Sequence, residues 1–221
     1  MIRTFLILFG VVSVAWCDNS LTGAERKDGF ELLFDGKSIS KWHSIRRQPD
    51  QGAWRVQKGI LTHEKGESWL ATNDTYFDFV LRLEYRTGAG SDSGIFLRAG
   101  PDGDPATSGM ELQILSDAGK PAATQSTGSV WDVVAPTRNA NKADGEWNQV
   151  EVSLIKRQLI AVWNGEKILD VNLDDPKYSA LAQRRPYGHI GLQAHATGTP
   201  VEFRNIRVKI LKIGPLFIPE K

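Results

Sequence analysis

The stretch "GHIGLQAHATGTPVEFRNIRV", residues 188–208, reads as two strands joined by a turn. It places Gln193, His195, Glu202 and Arg204 where strands buried on both faces carry Val or Leu. The apolar residues between them occupy every second position, the period of a strand with one face in a core. Working outward, the same grammar recurs. In 79–86, Phe79, Leu81, Leu83 and Tyr85 oppose Arg82 and Glu84; Ile95 and Leu97 oppose Phe96 and Arg98. Met110, Leu112 and Ile114 oppose Glu111 and Gln113, Ile190 and Leu192 oppose Gln193 and His195, and Phe203 and Asn205 oppose Glu202 and Arg204.

Further strands surround these five. "AWRVQKGILTHE" is a pair around Lys58-Gly59, and "LIAVWNGEKILDV" turns at Asn164-Gly165, the two-residue turn whose central positions both need positive φ. The helix-like patch "DPKYSALAQRR" amounts to a turn or two, and no repeat of fixed period is present. Many short strands bounded by Gly, Pro, Asp and Ser predict an all-β fold, a jelly-roll sandwich of two antiparallel sheets.

Composition narrows the function. The chain has 221 residues, 41% hydrophobic and 24% charged, as expected for one globular domain. Residues 1–17 carry a single basic residue, Arg3, ahead of an apolar run from Phe5 to Ala15. That run is too short to span a bilayer and suits a secretory signal peptide, so a secreted or periplasmic protein is expected. The sole cysteine, Cys17, ends this segment and can form no internal disulfide. Cleavage beside it is preferred over a lipid anchor on it, because the bulky Trp16 sits where a lipoprotein box takes a small residue. Removal of 1–17 leaves 26 basic residues, one fewer than in the full chain, against 26 acidic ones. A neutral chain lacks the basic field that nucleic acid or an anionic membrane calls for, and a neutral sugar is the fitting partner.

The opposed polar set is poor in Lys and rich in groups that make planar, directed hydrogen bonds, which suits a sheet face that binds hydroxyls. Its plain alternative is a solvated face whose charges pair across strands for about 0.2–1 kcal/mol each. Parity predicts that Glu84, Arg98, Glu111, Gln113, Gln193, His195, Glu202 and Arg204 share one face of one sheet. Trp42, Trp69, Trp131, Trp147 and Trp163 offer rings for sugar stacking, Trp131 foremost, although most tryptophans of a sandwich are core. Asp102 and Asp104 in "AGPDGDPATSG" fall short of the roughly six to eight oxygens that calcium takes, so a plain turn is preferred and a divalent metal such as calcium stays open. No phosphate loop, CxxC pair or nucleotide fingerprint is present, and no redox cofactor is expected.

Seven segments, "GFELLFDGKSISKW", "WLATNDTYFDFVLRLEYR", "SDSGIFLR", "GMELQIL", "GEWNQVEV", "WNGEKILDV" and the 188–208 stretch, stand in the order found in the 3-keto-disaccharide hydrolase domain family, which the chain resembles over about residues 29–210. The remaining 211–221 reads as a tail. The resemblance implies a concanavalin-like (laminin-G-like) jelly roll and hydrolysis of glycosides oxidised at C3 of the sugar, with a sugar 3-dehydrogenase acting upstream. Asp92 stands where that family often has Asn, Ser116 where Asp is common, and the "HATGTP" turn is longer than usual.

A ketone at C3 acidifies the C2 hydrogen, so the expected route is proton abstraction, elimination of the C1 oxygen and addition of water. It needs a base, a donor at the enolate oxygen and an acid. Glu111 or Glu84 is the expected base, Arg98 or Arg204 the oxyanion partner and His195 the acid, with Gln113, Gln193, Glu202 and Trp131 holding the sugar. Two other readings stand beside it. One is a two-carboxylate glycosidase using Glu84 and Glu111 about 5 to 9.5 Å apart; the other is a carbohydrate-binding module that relies on its aromatics.

Overall fold

In chain order the strands are β1 (Phe30–Leu32), β2 (Trp42–Ser44), β3 (Trp54–Gln57), β4 (Ile60–His63), β5 (Ser68–Thr72), β6 (Phe79–Arg86), β7 (Asp92–Ala99), β8 (Met110–Leu115), β9 (Asn148–Ile155), β10 (Gln158–Trp163), β11 (Glu166–Asn172), β12 (His189–Ala194) and β13 (Glu202–Ile210). They come from a computed structural model that describes residues 19–44, 54–63, 66–195 and 198–211. The signal-peptide reading of 1–17, the fate of Cys17 and nearly all of the 211–221 tail lie outside the described residues.

Two antiparallel sheets face each other, as the alternation predicts. The first runs β11-β10-β9-β6-β13-β4-β3, with β1 also paired to β13; the second runs β2-β5-β12-β7-β8. Leu81, Leu83 and Tyr85 from the first meet Ile95, Leu97, Leu112, Ile114 and Leu192 from the second in one core, all at most 1% exposed. Two turns follow the local chemistry read from sequence: Lys58-Gly59 and Asn164-Gly165 both take positive φ at both positions, joining β3 to β4 and β10 to β11. "DPKYSALAQRR" forms a 3₁₀ turn, Pro176–Tyr178, followed by one helical turn, Ser179–Ala182.

The sequence reading does not anticipate the helix α1 (Gly23–Asp28). Thr22 and Glu25 close a reciprocal capping box at its start. Glu25 then reaches Arg207 at 2.6 Å and Arg82 at 3.4 Å, which docks the helix on the outer face of the eight-stranded sheet. A second unanticipated helical turn, α2 (Pro105–Ser108), is capped by Asp104, whose side chain accepts from the Ala106 amide at 2.8 Å. This cap is the local role of the "PDGDP" loop, in keeping with the turn reading. Among the described residues no helix is long and apolar enough to cross a membrane.

Candidate functional site on the five-stranded sheet

Pairing across β5, β12, β7 and β8 sets Trp69 opposite Gln193, Gly94 opposite Gln113, and Phe96 opposite Glu111. Their sequence neighbours Leu70, Leu192, Ile95 and Leu112 point into the core, so these side chains project from the other face of the sheet. There they form a cleft of about 170 Å³ lined by Trp69, Asp92, Asp104, Ala106, Glu111, Gln113, Trp131, Gln193 and His195. Trp131 arrives from the long connection after β8. The Ser129 carbonyl accepts from the Gln113 amide at 3.1 Å and the Trp131 amide donates to the Glu111 carbonyl at 2.9 Å, so this segment runs beside β8 and holds the indole at the cleft.

Glu111 lies at the centre of the chemistry. Its side chain crosses over Gly94, where an added Cβ would come within 2.1 Å of Oε1. It is 4% exposed, and Oε1 has no hydrogen-bond partner; Oε1 of Gln193 is buried and unpaired in the same cleft. Burial, reinforced by the nearby charges of Asp104 and Asp92, pushes the Glu111 carboxyl up to about 8. Asp92 accepts from the Gln113 amide nitrogen at 3.2 Å, and its own carboxyl is raised by burial, an effect that His195 and Gln113 oppose. His195 closes the cleft with Nε2 at 3.7 Å from Glu67. Two orphaned acceptors beside a raised carboxyl and two indoles make a place that hydroxyl donors would complete, because a buried polar atom without a partner costs about 1–3 kcal/mol.

The expectation of one face for eight residues needs correction. Glu111, Gln113, Gln193 and His195 share the cleft, and Trp131 joins them. Glu84, Glu202 and Arg204 lie on the outer face of the other sheet. There Arg204 pairs with Glu84 at 2.7 Å, Arg86 pairs with Glu202, and Trp147 packs under the Arg204 guanidinium at 4.0 Å. Parity assigns a side, not a sheet; for these residues the cross-strand pairing read as the plain alternative is the local chemistry. The Glu84–Glu111 pair of the two-carboxylate reading is thereby divided between two sheets.

Arg98 is on neither polar face. A bulge at the end of β7 gives it a φ of 53°, and its buried guanidinium donates to the carbonyls of Phe77 and Lys156 and pairs with Asp78 at 3.1 Å. The Asn205 side is shifted by a similar bulge, with φ 55°, which returns Ile206 to the core and turns Arg207 outward to Glu25. Of the other tryptophans, Trp42, Trp54 and Trp163 are core and Trp147 lies under Arg86 and Arg204. At the cleft the sequence reading passes over Gly94, notes Asp92 only as a departure from the family and weighs Asp104 only as a metal ligand or turn residue. Asp92 and Gly94 share the parity of Phe96, and a Gly opposite Gln113 and diagonal to Glu111 across the β7–β8 pair is the signal that would have found them. Among the described residues no group of three or more His, Cys, Asp or Glu stands ready to hold a metal ion.

Residues 29–209 match the profile of the 3-keto-alpha-glucoside-1,2-lyase-like domain. The chain belongs to that family. It is 25% identical over 231 aligned residues to the 3-keto-disaccharide hydrolase of Bacteroides thetaiotaomicron, an alignment covering 83% of this chain and 79% of the relative. Among solved structures it superposes on a provisionally named glycosyl hydrolase from Parabacteroides distasonis with a TM-score of 0.78 and 24% identity, over 89% of this chain and all of the other. The carbohydrate-binding module CBM66 from Bacillus subtilis shares the fold at 10% identity, with a TM-score of 0.53 over 76% of this chain and 94% of the module. Jelly-roll architecture is thus common to enzymes and binders, and the cleft must carry the functional argument.

Gly94 supplies a direct test of the family member's cleft. Gly94→Ala fits a strand backbone, but its methyl would occupy the seat of the Glu111 carboxylate. The displaced end is flexible, so the melting temperature is expected to change little while sugar binding and turnover fall roughly tenfold from misplacement. Unchanged binding and turnover would remove Glu111 from the centre of the site.

Proposed function

We propose that the protein cleaves glycosidic bonds of 3-keto-disaccharides or 3-keto-glycosides by elimination and water addition. The observation that carries this reading is the buried Glu111 carboxyl, unpaired at Oε1 and raised to about 8, facing a cleft of sugar-binding residue types. The name of the Bacteroides relative supports it. A carboxylate of raised pKa is a stronger base than an ordinary one, which suits removal of a hydrogen from carbon.

In this route ionised Glu111 takes the C2 hydrogen, and the C–H electron pair becomes the C2=C3 bond of an enolate with its charge on the C3 oxygen. Collapse restores the C3 carbonyl, forms C1=C2 and breaks the bond from C1 to the leaving oxygen, which takes a proton from His195 or from the carboxyl that Glu111 has become. Water then adds across C1=C2, hydroxyl to C1 and hydrogen to C2. With Arg98 and Arg204 elsewhere, the amide nitrogens of Gln113 and Gln193 are the donors within reach of the enolate oxygen, and Trp69 and Trp131 would flank the ring. The sequence is redox-neutral, so the ketone has to be made by a separate dehydrogenase, and no redox cofactor takes part. The signal-peptide reading of residues 1–17 makes this an extracytoplasmic activity within the same proposal.

A second reading follows from Asp92 sharing the cleft with Glu111: protonated Glu111 would serve as the acid and Asp92 as nucleophile or base of a conventional glycosidase. One experiment separates the two. Purified protein is incubated in deuterated water with 3-keto-glycosides and their unoxidised parents. Elimination predicts cleavage of the oxidised members alone, with deuterium at C2 of the released keto-sugar. Hydrolysis of the parents, or full retention of the C2 hydrogen, would give first place to the carboxylate pair.

A further inference from the structure

The charge of the cleft is one-sided. Three carboxyl groups, Asp92, Asp104 and Glu111, line it, and among its described lining residues there is no Lys or Arg; the imidazole of His195 is the basic group present. The depth of the cleft sorts these groups. Glu111 and Gln113 are buried at its floor, 4% and 5% exposed, whereas Asp104 is exposed and Trp131 is 41% exposed. A sugar ring seated on the floor would leave its leaving group against the exposed pair. The acidic residues do not mark the site alone: Oε1 of Glu111, in a side chain more than nine-tenths buried, faces the same space without a partner.

We propose that the mouth of the cleft, Asp104 with Trp131, selects glycosides by the charge of the leaving group, accepting neutral and ammonium-bearing ones and rejecting those with a carboxylate, sulfate or phosphate. The proposal rests on the reaction assigned above to the floor of the cleft and adds its substrate class. An ammonium group at an indole face gains from the negative face of the ring, and a carboxylate beside it adds an ion pair. An anionic leaving group meets the opposite signs at both; Arg184, which acts on Asp104 from outside the cleft lining, and His195 offset them only in part. Asp104 is suited to a fixed reading of charge because one of its oxygens is held by the Ala106 amide at the start of α2.

The test uses three 3-keto-glycosides identical except for one leaving-group substituent: ammonium, hydroxyl or carboxylate. At low salt kcat/KM is expected to fall in that order, with about a tenfold or greater ratio between the ends of the series, the scale of an exposed cation–π contact added to an exposed ion pair. The ratio should shrink at high salt. Asp104→Asn is the deciding variant, since Asn caps a helix as well as Asp does and α2 keeps its start while the charge is lost; the ratio should drop severalfold. A ratio near one, a reversed order, or a ratio that survives Asp104→Asn would overturn the proposal. If none of the three turns over, the reaction assignment fails, and calorimetric titration with the unoxidised glycosides reads the preference separately. Tighter binding of the ammonium compound would uphold charge selection; equal binding, or none, would end it as well.

Discussion

Glu111→Gln is expected to lower turnover of a 3-keto-glycoside by at least about a hundredfold, the scale for loss of a general base, while making the folded protein more stable at neutral and alkaline pH. The two effects share one cause. The Glu111 carboxyl is raised to about 8 in the fold against 4.5 for the free group, first by burial and then by Asp104 and Asp92. Between those values the folded state holds a proton that the unfolded state has released, so the contribution of this group to stability falls as pH rises and levels off above about 8. Each pH step of one across that window costs about 1.4 kcal/mol, so the loss reaches the order of a few kcal/mol. The amide removes this pH-dependent loss, although it still leaves a polar atom in the same unpaired seat. The melting-temperature difference between variant and parent should therefore grow from pH 5 to pH 8 and then stay level.

The parent's kcat/KM should rise with pH up to about 8, as the carboxylate form appears, and that limb should be absent from the variant's residual rate. A limb that falls through pH 8 would instead make Glu111 an acid in its reactive form and favour the carboxylate-pair route with Asp92. Unchanged turnover in Glu111→Gln would pass the base role to Asp92, because Glu84 and Glu202 lie on the other sheet.

Arg98→Met is expected to be the most destabilising of the substitutions considered, by about 3–5 kcal/mol, the scale for removing one partner of a buried ion pair. Arg98 is 1% exposed and extends from the five-stranded sheet to Phe77, Asp78 and Lys156, which flank β6 and β9 of the eight-stranded one. The variant would leave two carbonyls without their donor and Asp78 without its cation. Burial draws the guanidinium down to about 10, which leaves it charged at neutral pH. In a chain of this size the loss corresponds to a melting temperature lower by about 10 °C. Denaturant unfolding measures it, and turnover below the transition should persist in the folded fraction. An Arg98→Met protein of normal stability but without activity would return this residue to the chemistry, as the oxyanion partner expected from parity.

The difference between Glu111 and Arg98 explains what could be read in advance. Both stand at outward positions of an alternating strand, and alternation correctly separates each from its apolar neighbours. Strand period is a local property of the backbone, so fold class, the core faces and the Lys58-Gly59 and Asn164-Gly165 turns were determined by the sequence by itself, and so was the short helical patch at 176–182. The family followed from seven ordered segments. What alternation does not carry is which sheet a strand joins. Pairing of β6 with β13 and of β7 with β8 and β12 is decided by contacts between residues far apart in the chain, and it sent Glu84, Glu202 and Arg204 to one outer face and Glu111, Gln113, Gln193 and His195 to another. Bulges add a second nonlocal effect. One positive φ at Arg98 and one at Asn205 break the period, turning a surface-type arginine into a bolt between sheets and bringing Arg207 to Glu25. The raised carboxyl of Glu111 is of the same kind: it arises from the burial supplied by facing strands and from Asp104 on a separate loop, so it exists only once the tertiary structure has brought those groups together.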